Sequence, residues 1–331
     1  MKKIIIVFIF LLLITGCHNN KNKKVLNVLN WSSYIPNSVI HDFENIYGIK
    51  VNYGTYSSNE ELLAKVSSSK TGTYDLIFPS DYMVSLMIEK NLIEKIDSDK
   101  IENIKNINKI FLNQDYDKGN NYSYPFLSTI VVIAVNRDKI KDDIKGYNDL
   151  LNSKYKNNIV MLDDQRIVIG MGLLANNYKM NEIDNSKLKD AKNWLLKLKK
   201  NIKAYDSDSP KTFFISDEVD IGVMWNAEAE LAHEENKNIE IIYPIEGHAI
   251  STDNYCLVKG AKNKENAYLF INYLLRNDIS TKIVNEYPYI SPNRIIQKSI
   301  VTSNDIFKNG HYVKNIGENI KKYDKLWADI K

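Results

Sequence analysis

The chain has 331 residues, of which 44% are hydrophobic and 26% are charged, enough to build one large or two medium globular domains. Its 44 Lys and Arg residues nearly balance 41 Asp and Glu residues, which leaves a formal net charge of +3. This balance argues against a nucleic-acid-binding protein, because such proteins usually carry a clear basic excess.

The first residues have the pattern of a bacterial export signal. Two lysines precede an uninterrupted apolar run at 4–14, which is too short to span a bilayer as a helix. The following residues, Ile14-Thr15-Gly16-Cys17, match a lipoprotein cleavage box. We therefore predict a signal peptide at 1–16 and a lipid on Cys17 that anchors the protein without a spanning helix. A plain secretory peptide followed by a chance cysteine is the alternative.

The residues after Cys17 are polar and basic, and we predict that 17–24 form a lipidated tether. The second cysteine, Cys256, lies in an apolar run. With Cys17 acylated, no disulfide can form within the chain, so Cys256 is predicted to be a small buried hydrophobic residue.

From Lys24 onward, strand-like and helix-like segments alternate. The predicted strands lie at 25–31, 49–53, 74–78, 129–135, 158–162, 220–225 and 239–243, with one more ending at Val258. The predicted helices lie at 37–47, 59–70, 81–90, 166–176, 186–200, 227–235, 264–275 and 279–286. Asn37 and Asn59 are the predicted caps of the first two helices, and Gly48 is the predicted stop of the first.

This order predicts an α/β fold with two lobes, each a mostly parallel sheet flanked by helices. No low-complexity linker separates the two series of elements, so crossover strands are expected to join the lobes. The approximate boundaries are 25–133 plus 255–300 for lobe 1, and 134–254 plus 301–331 for lobe 2.

Aromatic and carboxylate residues recur where the predicted strands end, which is where open α/β sheets bind ligands. These strand ends are Asn30-Trp31-Ser32-Ser33-Tyr34, Pro79-Ser80-Asp81-Tyr82, Asp163-Asp164, Trp225-Asn226, Thr252-Asp253-Asn254-Tyr255 and Pro288-Tyr289-Ile290-Ser291-Pro292-Asn293. The mixture suits an elongated organic cation, because aromatic faces attract ammonium groups and carboxylates accept their hydrogen bonds.

Each of these residues also has a purely structural interpretation. Trp31 and Trp225 could be core residues, and Asp253 could belong to a polar turn. The Asp163-Asp164 pair and the Ser80-Asp81 pair each precede a predicted helix, so either pair could supply a helix cap.

Other chemistries fit the sequence less well. It contains no G-x-S-x-G, H-E-x-x-H or P-loop pattern, and its five His residues lack ligand spacing. The run at 170–175 matches a loose dinucleotide-binding pattern but falls inside a predicted helix. We therefore predict no cofactor, no metal site and no enzymatic activity.

At these strand ends the sequence resembles the periplasmic spermidine/putrescine-binding proteins of polyamine ABC transporters. The resemblance runs from about Val25 to the end of the chain. Its most specific parts are the runs Asn30-Trp31-Ser32-Ser33-Tyr34-Ile35-Pro36, Tyr74-Asp75-Leu76-Ile77-Phe78-Pro79-Ser80-Asp81-Tyr82, Ile221-Gly222-Val223-Met224-Trp225-Asn226 and Tyr289-Ile290-Ser291-Pro292-Asn293, in the same order.

The resemblance implies lobes that close over a polyamine by a hinge motion, and it implies a role for eight residues. Asp164 and Asp253 would pair with the amines. The alkyl chain would be lined by Trp31, Tyr34, Trp225 and Tyr289. Hydrogen bonds would come from Ser80 and Tyr82.

Three positions depart from the family pattern. Ile167 replaces a frequent Glu, Ser251 replaces a Trp, and Val313 falls where a Gln is expected. An unpaired ammonium is costly to bury, and two matched carboxylates neutralise a diamine more easily than a triamine. We therefore expect a preference for putrescine or another ligand over spermidine.

The sequence thus predicts a monomeric extracytoplasmic lipoprotein that captures a polyamine and delivers it to an ABC permease with its ATPase. Three alternatives remain at this point. The ligand could be another cationic or amino-acid-like solute, the protein could sense polyamines without transport, or the same scaffold could carry an enzyme.

Overall fold

The computed structural model describes residues 24–296 and 307–331. The predicted signal peptide at 1–16, Cys17 and the tether up to residue 23 lie outside the described residues. Cys256 is free and fully buried, as predicted.

The described strands are numbered in chain order. They are β1 (Lys24–Trp31), β2 (Ile49–Tyr56), β3 (Leu76–Ile77), β4 (Ile93–Glu94), β5 (Tyr124–Asn136), β6 (Ile159–Met161), β7 (Ile202–Tyr205), β8 (Ile221–Trp225), β9 (Ile239–Ile242), β10 (His248–Val258) and β11 (Gly310–Tyr312). The sequence analysis did not predict β4, β7 or β11, which are short.

The described α-helices are numbered in the same way. They are α1 (Asn37–Tyr47), α2 (Asn59–Ser68), α3 (Asp81–Glu89), α4 (Gln165–Ala175), α5 (Asn185–Leu198), α6 (Lys211–Ile215), α7 (Asn226–Glu235), α8 (Lys264–Leu274), α9 (Asn277–Glu286) and α10 (Ile320–Ile330). Short 3-10 helices lie at Ser98–Lys100, Glu102–Asn106, Lys109–Phe111, Tyr147–Leu151, Ser153–Tyr155 and Gly317–Asn319.

At the ends of the first two helices, the predicted stop residue is confirmed and the predicted caps are not. Gly48 ends α1 in the left-handed conformation, as predicted, since glycine adopts a positive φ without steric cost. The predicted caps of these helices were wrong. Pro36 precedes α1 without a side-chain cap, and α2 is capped by Ser58, whose hydroxyl accepts the backbone N–H of Glu61.

The strands form two groups, which are joined by the pairing of β5 with β10. In the first group, β1 pairs in parallel with β2 and β3, while β3 and β4 pair antiparallel with β10. In the second, β6 pairs in parallel with β7 and β8, while β8 and β9 pair antiparallel with β5. The α/β class with parallel outer strands and crossover strands is confirmed, and antiparallel pairs occur where each group meets a long strand.

β5 and β10 connect the two groups because they are long and pair with each other. Their antiparallel pairing runs from Ile130 opposite Ile250 to Tyr124 opposite Tyr255. Every residue of β5 is buried, and the strand begins five residues before the predicted start at Thr129.

One cluster of buried apolar residues contains Leu29 of the first group and Ile159 of the second, and each group also has a cluster of its own. The cluster beneath the first group of strands contains Val28, Phe43, Phe78 and Phe270. The cluster in the second group contains Val132, Val160 and Met224. α10 packs on α4 and α5 of the second group, whereas α8 and α9 pack on β1 and α1 of the first. The exact lobe boundaries given above stay a prediction.

Candidate functional site

A cavity of about 490 Å³ opens between the two groups of strands. Its wall is formed largely by residues at strand ends and by the first turns of the helices that follow them. The sequence singled out eight residues for this role, and all eight line the cavity. They are Trp31, Tyr34, Ser80, Tyr82, Asp164, Trp225, Asp253 and Tyr289.

Asp253 accepts hydrogen bonds from three of the other predicted residues. The Trp31 indole N–H and the Ser80 hydroxyl donate to Oδ1, at 3.1 and 2.6 Å. The Tyr34 hydroxyl donates to Oδ2 at 2.6 Å. Asp253 lies within strand β10 and not in a polar turn. The three hydrogen bonds fix the position of its carboxylate, and the residues that donate them also line the cavity.

A pairing irregularity between β5 and β10 lies directly beside Asp253, where Phe126 of β5 is left without an opposite residue. The pairing register with β5 shifts between Asp253 and Asn254, as in a β-bulge, and such shifts re-aim a side chain. Asp253 is only 3% exposed, and burial raises the pKa of its carboxyl to about 6, while the three hydrogen bonds counteract that rise.

Asp164 combines a structural role with its place in the cavity wall. Its Oδ1 accepts the backbone N–H groups of Arg166 at 2.8 Å and Ile167 at 3.0 Å, so it caps α4. Its Oδ2 accepts no hydrogen bond from the described residues. Burial raises the pKa of this carboxyl, against the lowering effect of the backbone hydrogen bonds.

Aromatic rings form one continuous wall. The ring centroids of Trp31 and Tyr34 lie 6.2 Å apart, and those of Tyr34 and Tyr289 lie 4.6 Å apart. Trp31 also contacts Tyr56 at 4.6 Å. Trp225, half-buried, ends β8 on the side of the cavity formed by the second group of strands. Core packing alone therefore does not describe Trp31 and Trp225, because both present surface to the cavity.

The polar groups of Ser80 and Tyr82 already have partners within the chain. The Ser80 hydroxyl donates to Asp253 and accepts from the Asn59 amide, and it makes no capping bond to α3. The Tyr82 hydroxyl donates to Glu60 at 3.2 Å, and the Arg166 guanidinium covers its ring at 4.2 Å from the centroid.

Sequence reasoning missed three carboxylates of the cavity wall, Glu60, Asp208 and Glu228, and Glu228 is the one with an unpaired buried oxygen. Glu228 lies in the first turn of α7, lines the cavity, and has a buried Oε2 without a hydrogen-bond partner among the described residues. Burial raises its pKa to about 7, and the nearby Lys211 lowers it in part. The sequence could have indicated Glu228 as a site residue, because it follows the strand-end residue Trp225 by only three positions.

Comparison with known proteins gives the family of this chain. The family described as bacterial extracellular solute-binding protein matches residues 38–309. The chain belongs to this family. A relative, the spermidine/putrescine-binding periplasmic protein of Escherichia coli K12, is 33% identical over 96% of this chain and 94% of its own length. The putrescine/cadaverine-binding protein of Pseudomonas aeruginosa is 26% identical over 100% and 99%.

Solved structures agree with this placement in the solute-binding family. A putative spermidine/putrescine ABC transporter protein from Listeria monocytogenes superposes with a TM-score of 0.86 at 29% identity, covering 93% of this chain and 98% of its own. The TpPotD lipoprotein of Treponema pallidum gives 0.86 at 27% identity, covering 93% and 99%. The predicted resemblance and the two-lobed α/β fold are thereby confirmed.

The three positions that the sequence analysis predicted to differ from polyamine-binding proteins all lie on the cavity wall. Ile167, Ser251 and Val313 contribute to it together with the eight predicted residues. A change at any of them alters the surface that a ligand meets.

The wall of this solute-binding cavity is strongly acidic. Among the described residues it carries six carboxylates and two cationic side chains, a formal excess of four negative charges. The carboxylates are Glu60, Asp163, Asp164, Asp208, Glu228 and Asp253, and the cations are Arg166 and Lys211. Low-dielectric walls with charge of one sign concentrate ligands of the opposite sign.

Residues 24–296 and 307–331 contain neither a membrane-spanning helix nor a metal-binding cluster. No helix there is long and apolar enough to cross a membrane. No group of three or more His, Cys, Asp or Glu side chains there could hold a metal ion.

Proposed function

We propose that this solute-binding protein captures a polyamine in the cavity around Asp253 and delivers it to an ABC importer without catalysing a reaction. One observation carries the proposal. The eight positions matched to the polyamine-binding family surround one acidic, partly aromatic cavity. The relatives named as spermidine/putrescine-binding and putrescine/cadaverine-binding proteins support the same ligand class.

The wall offers an ammonium group two kinds of attraction. Asp253, Asp164 and Glu228 supply carboxylates for charge-assisted hydrogen bonds. The faces of Trp31 and Trp225 cover methylene groups, and an ammonium over such a face gains about 0.5–2 kcal/mol. Micromolar affinity requires only about 8 kcal/mol, so a few such contacts are sufficient after the costs of binding.

Glu228 bears on whether the cavity prefers a ligand with two amines or one with three. The expected preference for putrescine over spermidine rested on two carboxylates, Asp164 and Asp253. The cavity wall also carries Glu228 and three further carboxylates. Charge alone therefore no longer favours a diamine over a triamine, and the ranking of the two ligands stays a prediction for titration to decide.

A thermal-shift screen of residues 18–331 against diamines, polyamines and amino acids tests the ligand class. A ligand at 100 times its dissociation constant adds about 2.7 kcal/mol of stability. We expect the diamines and polyamines of this screen, and not the amino acids, to raise the melting temperature. A response only to amino acids or other cations would contradict the proposal and support the alternative solute. Calorimetry then ranks the hits, and tenfold tighter binding of spermidine would refute the preference for putrescine.

The proposal includes a membrane anchor and transport partners. We propose that the signal peptide at 1–16 is removed, that Cys17 carries lipid, and that 18–23 tether the monomeric protein near its permease and ATPase, since Lys24 already belongs to β1. Cys17→Ser should release the mature protein from the membrane fraction into the soluble fraction. Uptake of labelled polyamine by cells with and without this protein separates transport from sensing, because a sensor would leave uptake unchanged.

A further inference from the structure

A second place that suits an ammonium group lies at the edge of the cavity. Asp163, Tyr205 and Trp327 surround the side-chain nitrogen of Lys331. The Lys331 Nζ lies 2.6 Å from Asp163 Oδ1, 4.4 Å from the Tyr205 ring centroid and 5.2 Å from the Trp327 ring centroid. We call these three residues, Asp163, Tyr205 and Trp327, the outer cage.

The outer cage has the parts that primary amine recognition requires. Its rings are nearly perpendicular, at 84°, with centroids 5.6 Å apart, so two aromatic faces and one carboxylate meet at one point. The Tyr205 hydroxyl oxygen is buried and has no hydrogen-bond partner among the described residues, which leaves an acceptor for an N–H group.

The occupant of the outer cage resembles the proposed ligand chemically. A lysine side chain ends in an ammonium on four methylene groups, as does each end of a diaminobutane. Lys331 and Asp163 are 34% and 45% exposed, and ion pairs at such exposure are weak. An external ammonium can therefore compete with Lys331 for the outer cage.

The outer cage is continuous with the main cavity. Asp163 and Trp327 line that cavity, and Asp163 directly precedes Asp164. Because Asp163 and Asp164 both line the cavity, one elongated ligand can contact both carboxylates.

We propose that the outer cage is an additional ammonium site for polyamines with three or more amines, and that Lys331 is its competing internal occupant. This proposal rests on the proposed function. A diamine is held within the main cavity and does not need the outer cage. A longer polyamine extends its terminal ammonium into the outer cage and displaces Lys331.

Calorimetry on Lys331→Met tests this selectivity with putrescine, spermidine and spermine as ligands. We expect affinity for spermidine or spermine to rise about threefold to tenfold, the scale of one exposed ion pair and one cation–π contact, with putrescine unchanged. Asp163→Asn added to Lys331→Met should reverse the gain. Lys325→Met, on the helix α10 that Lys331 directly follows, is the control and should change nothing. An equal change for all three ligands, or no change, would overturn the proposal.

An independent experiment examines the outer cage without a polyamine. The indole N–H resonance of Trp327, assigned with Trp327→Phe, is followed while n-butylammonium is added. We expect a saturable shift in Lys331→Met and a much weaker one in the unaltered protein. A shift in the absence of polyamine binding would support the outer cage while the proposed function fails. Polyamine binding without a shift would refute the outer cage alone.

Discussion

The carboxylate of Asp253 accepts hydrogen bonds within the protein and, as proposed, also pairs with the ammonium group of the ligand. An asparagine at this position can keep the hydrogen bonds from Trp31 and Ser80 on its oxygen, while the Tyr34 hydroxyl turns to accept from the amide. The substitution therefore removes the negative charge with little loss of structure.

We predict that Asp253→Asn weakens polyamine binding more than tenfold and leaves the melting temperature of the ligand-free protein nearly unchanged. Titration calorimetry and differential scanning calorimetry measure the two effects. The exposed carboxylate of Asp99 lies outside the cavity, so Asp99→Asn is the matched control. Equal losses of ligand-free stability and affinity would mean that Asp253 is structural only.

Glu228 gives a stability prediction with a defined sign. Its pKa is raised from 4.5 to about 7 in the folded protein, so the folded state binds the proton more tightly than the unfolded state does. That stabilisation is complete below pH 4.5 and is lost as the pH rises through 7. We expect Glu228→Gln to melt higher than the unaltered protein at pH 8, with the difference shrinking towards pH 4.5, as thermal melts would record.

The same carboxyls make polyamine affinity depend on pH. Only the ionised forms of Glu228 and Asp253 pair with an ammonium, and their pKa values are raised to about 7 and about 6. Affinity should therefore increase from pH 5 to pH 8. In Glu228→Gln the increase near pH 7 should disappear and the one near pH 6 should remain. A flat profile for the unaltered protein would exclude both residues from ligand pairing.

At the scale of elements, the first turn of α4 forms part of the binding wall. Asp164 caps this helix, and an Asp-to-Ala change at an N-cap costs about 1 kcal/mol, whereas Asn caps about as well as Asp. We predict that Asp164→Asn lowers polyamine affinity without changing the free energy of unfolding. Asp164→Ala should lower both polyamine affinity and the free energy of unfolding.

Helix α5 supplies the control for this prediction. Asp184 caps it with the same two-bond geometry but does not line the cavity. Asp184→Ala should therefore lower the free energy of unfolding, measured by urea denaturation, without changing the dissociation constant. An affinity loss in Asp184→Ala as large as in Asp164→Ala would show that cap removal alone disturbs the site.

The sequence predicted long periodic elements better than short ones. α1 has the predicted bounds, because its apolar spacing and Gly48 specify it locally. β3 is limited to two residues instead of five, since its length depends on where β1 and β10 pair with it. α10 was missed in the sequence, although its apolar face packs on α4 and α5.

The same distinction applies to the site. Strand-end rules and the family resemblance located all eight predicted residues on the cavity wall. Neither could show that Ser80, Trp31 and Tyr34 donate to Asp253, because those contacts join β10 to residues 173 to 222 positions away. The unpartnered oxygen of Glu228 likewise depends on packing that no local pattern records.

At the scale of the whole molecule, one contact spans the cavity between the two groups of strands. Arg166, on α4, stacks on Tyr82, on α3. A ligand that binds both sides should hold them closer on average. We predict that a saturating polyamine lowers the radius of gyration measured by solution X-ray scattering, and that Asp253→Asn requires a more than tenfold higher ligand concentration for the same decrease. An unchanged radius in the unaltered protein would contradict closure.

The paired strands β5 and β10 determine how this protein can be divided. β10 pairs with the first group, β5 pairs with the second, and the two strands pair with each other, so a fragment bearing either half alone would expose an unpaired strand edge, which favours aggregation. We therefore expect that no single cut of the polypeptide yields two independently folding pieces. Shortened versions for engineering should therefore trim surface connections and leave both long strands whole.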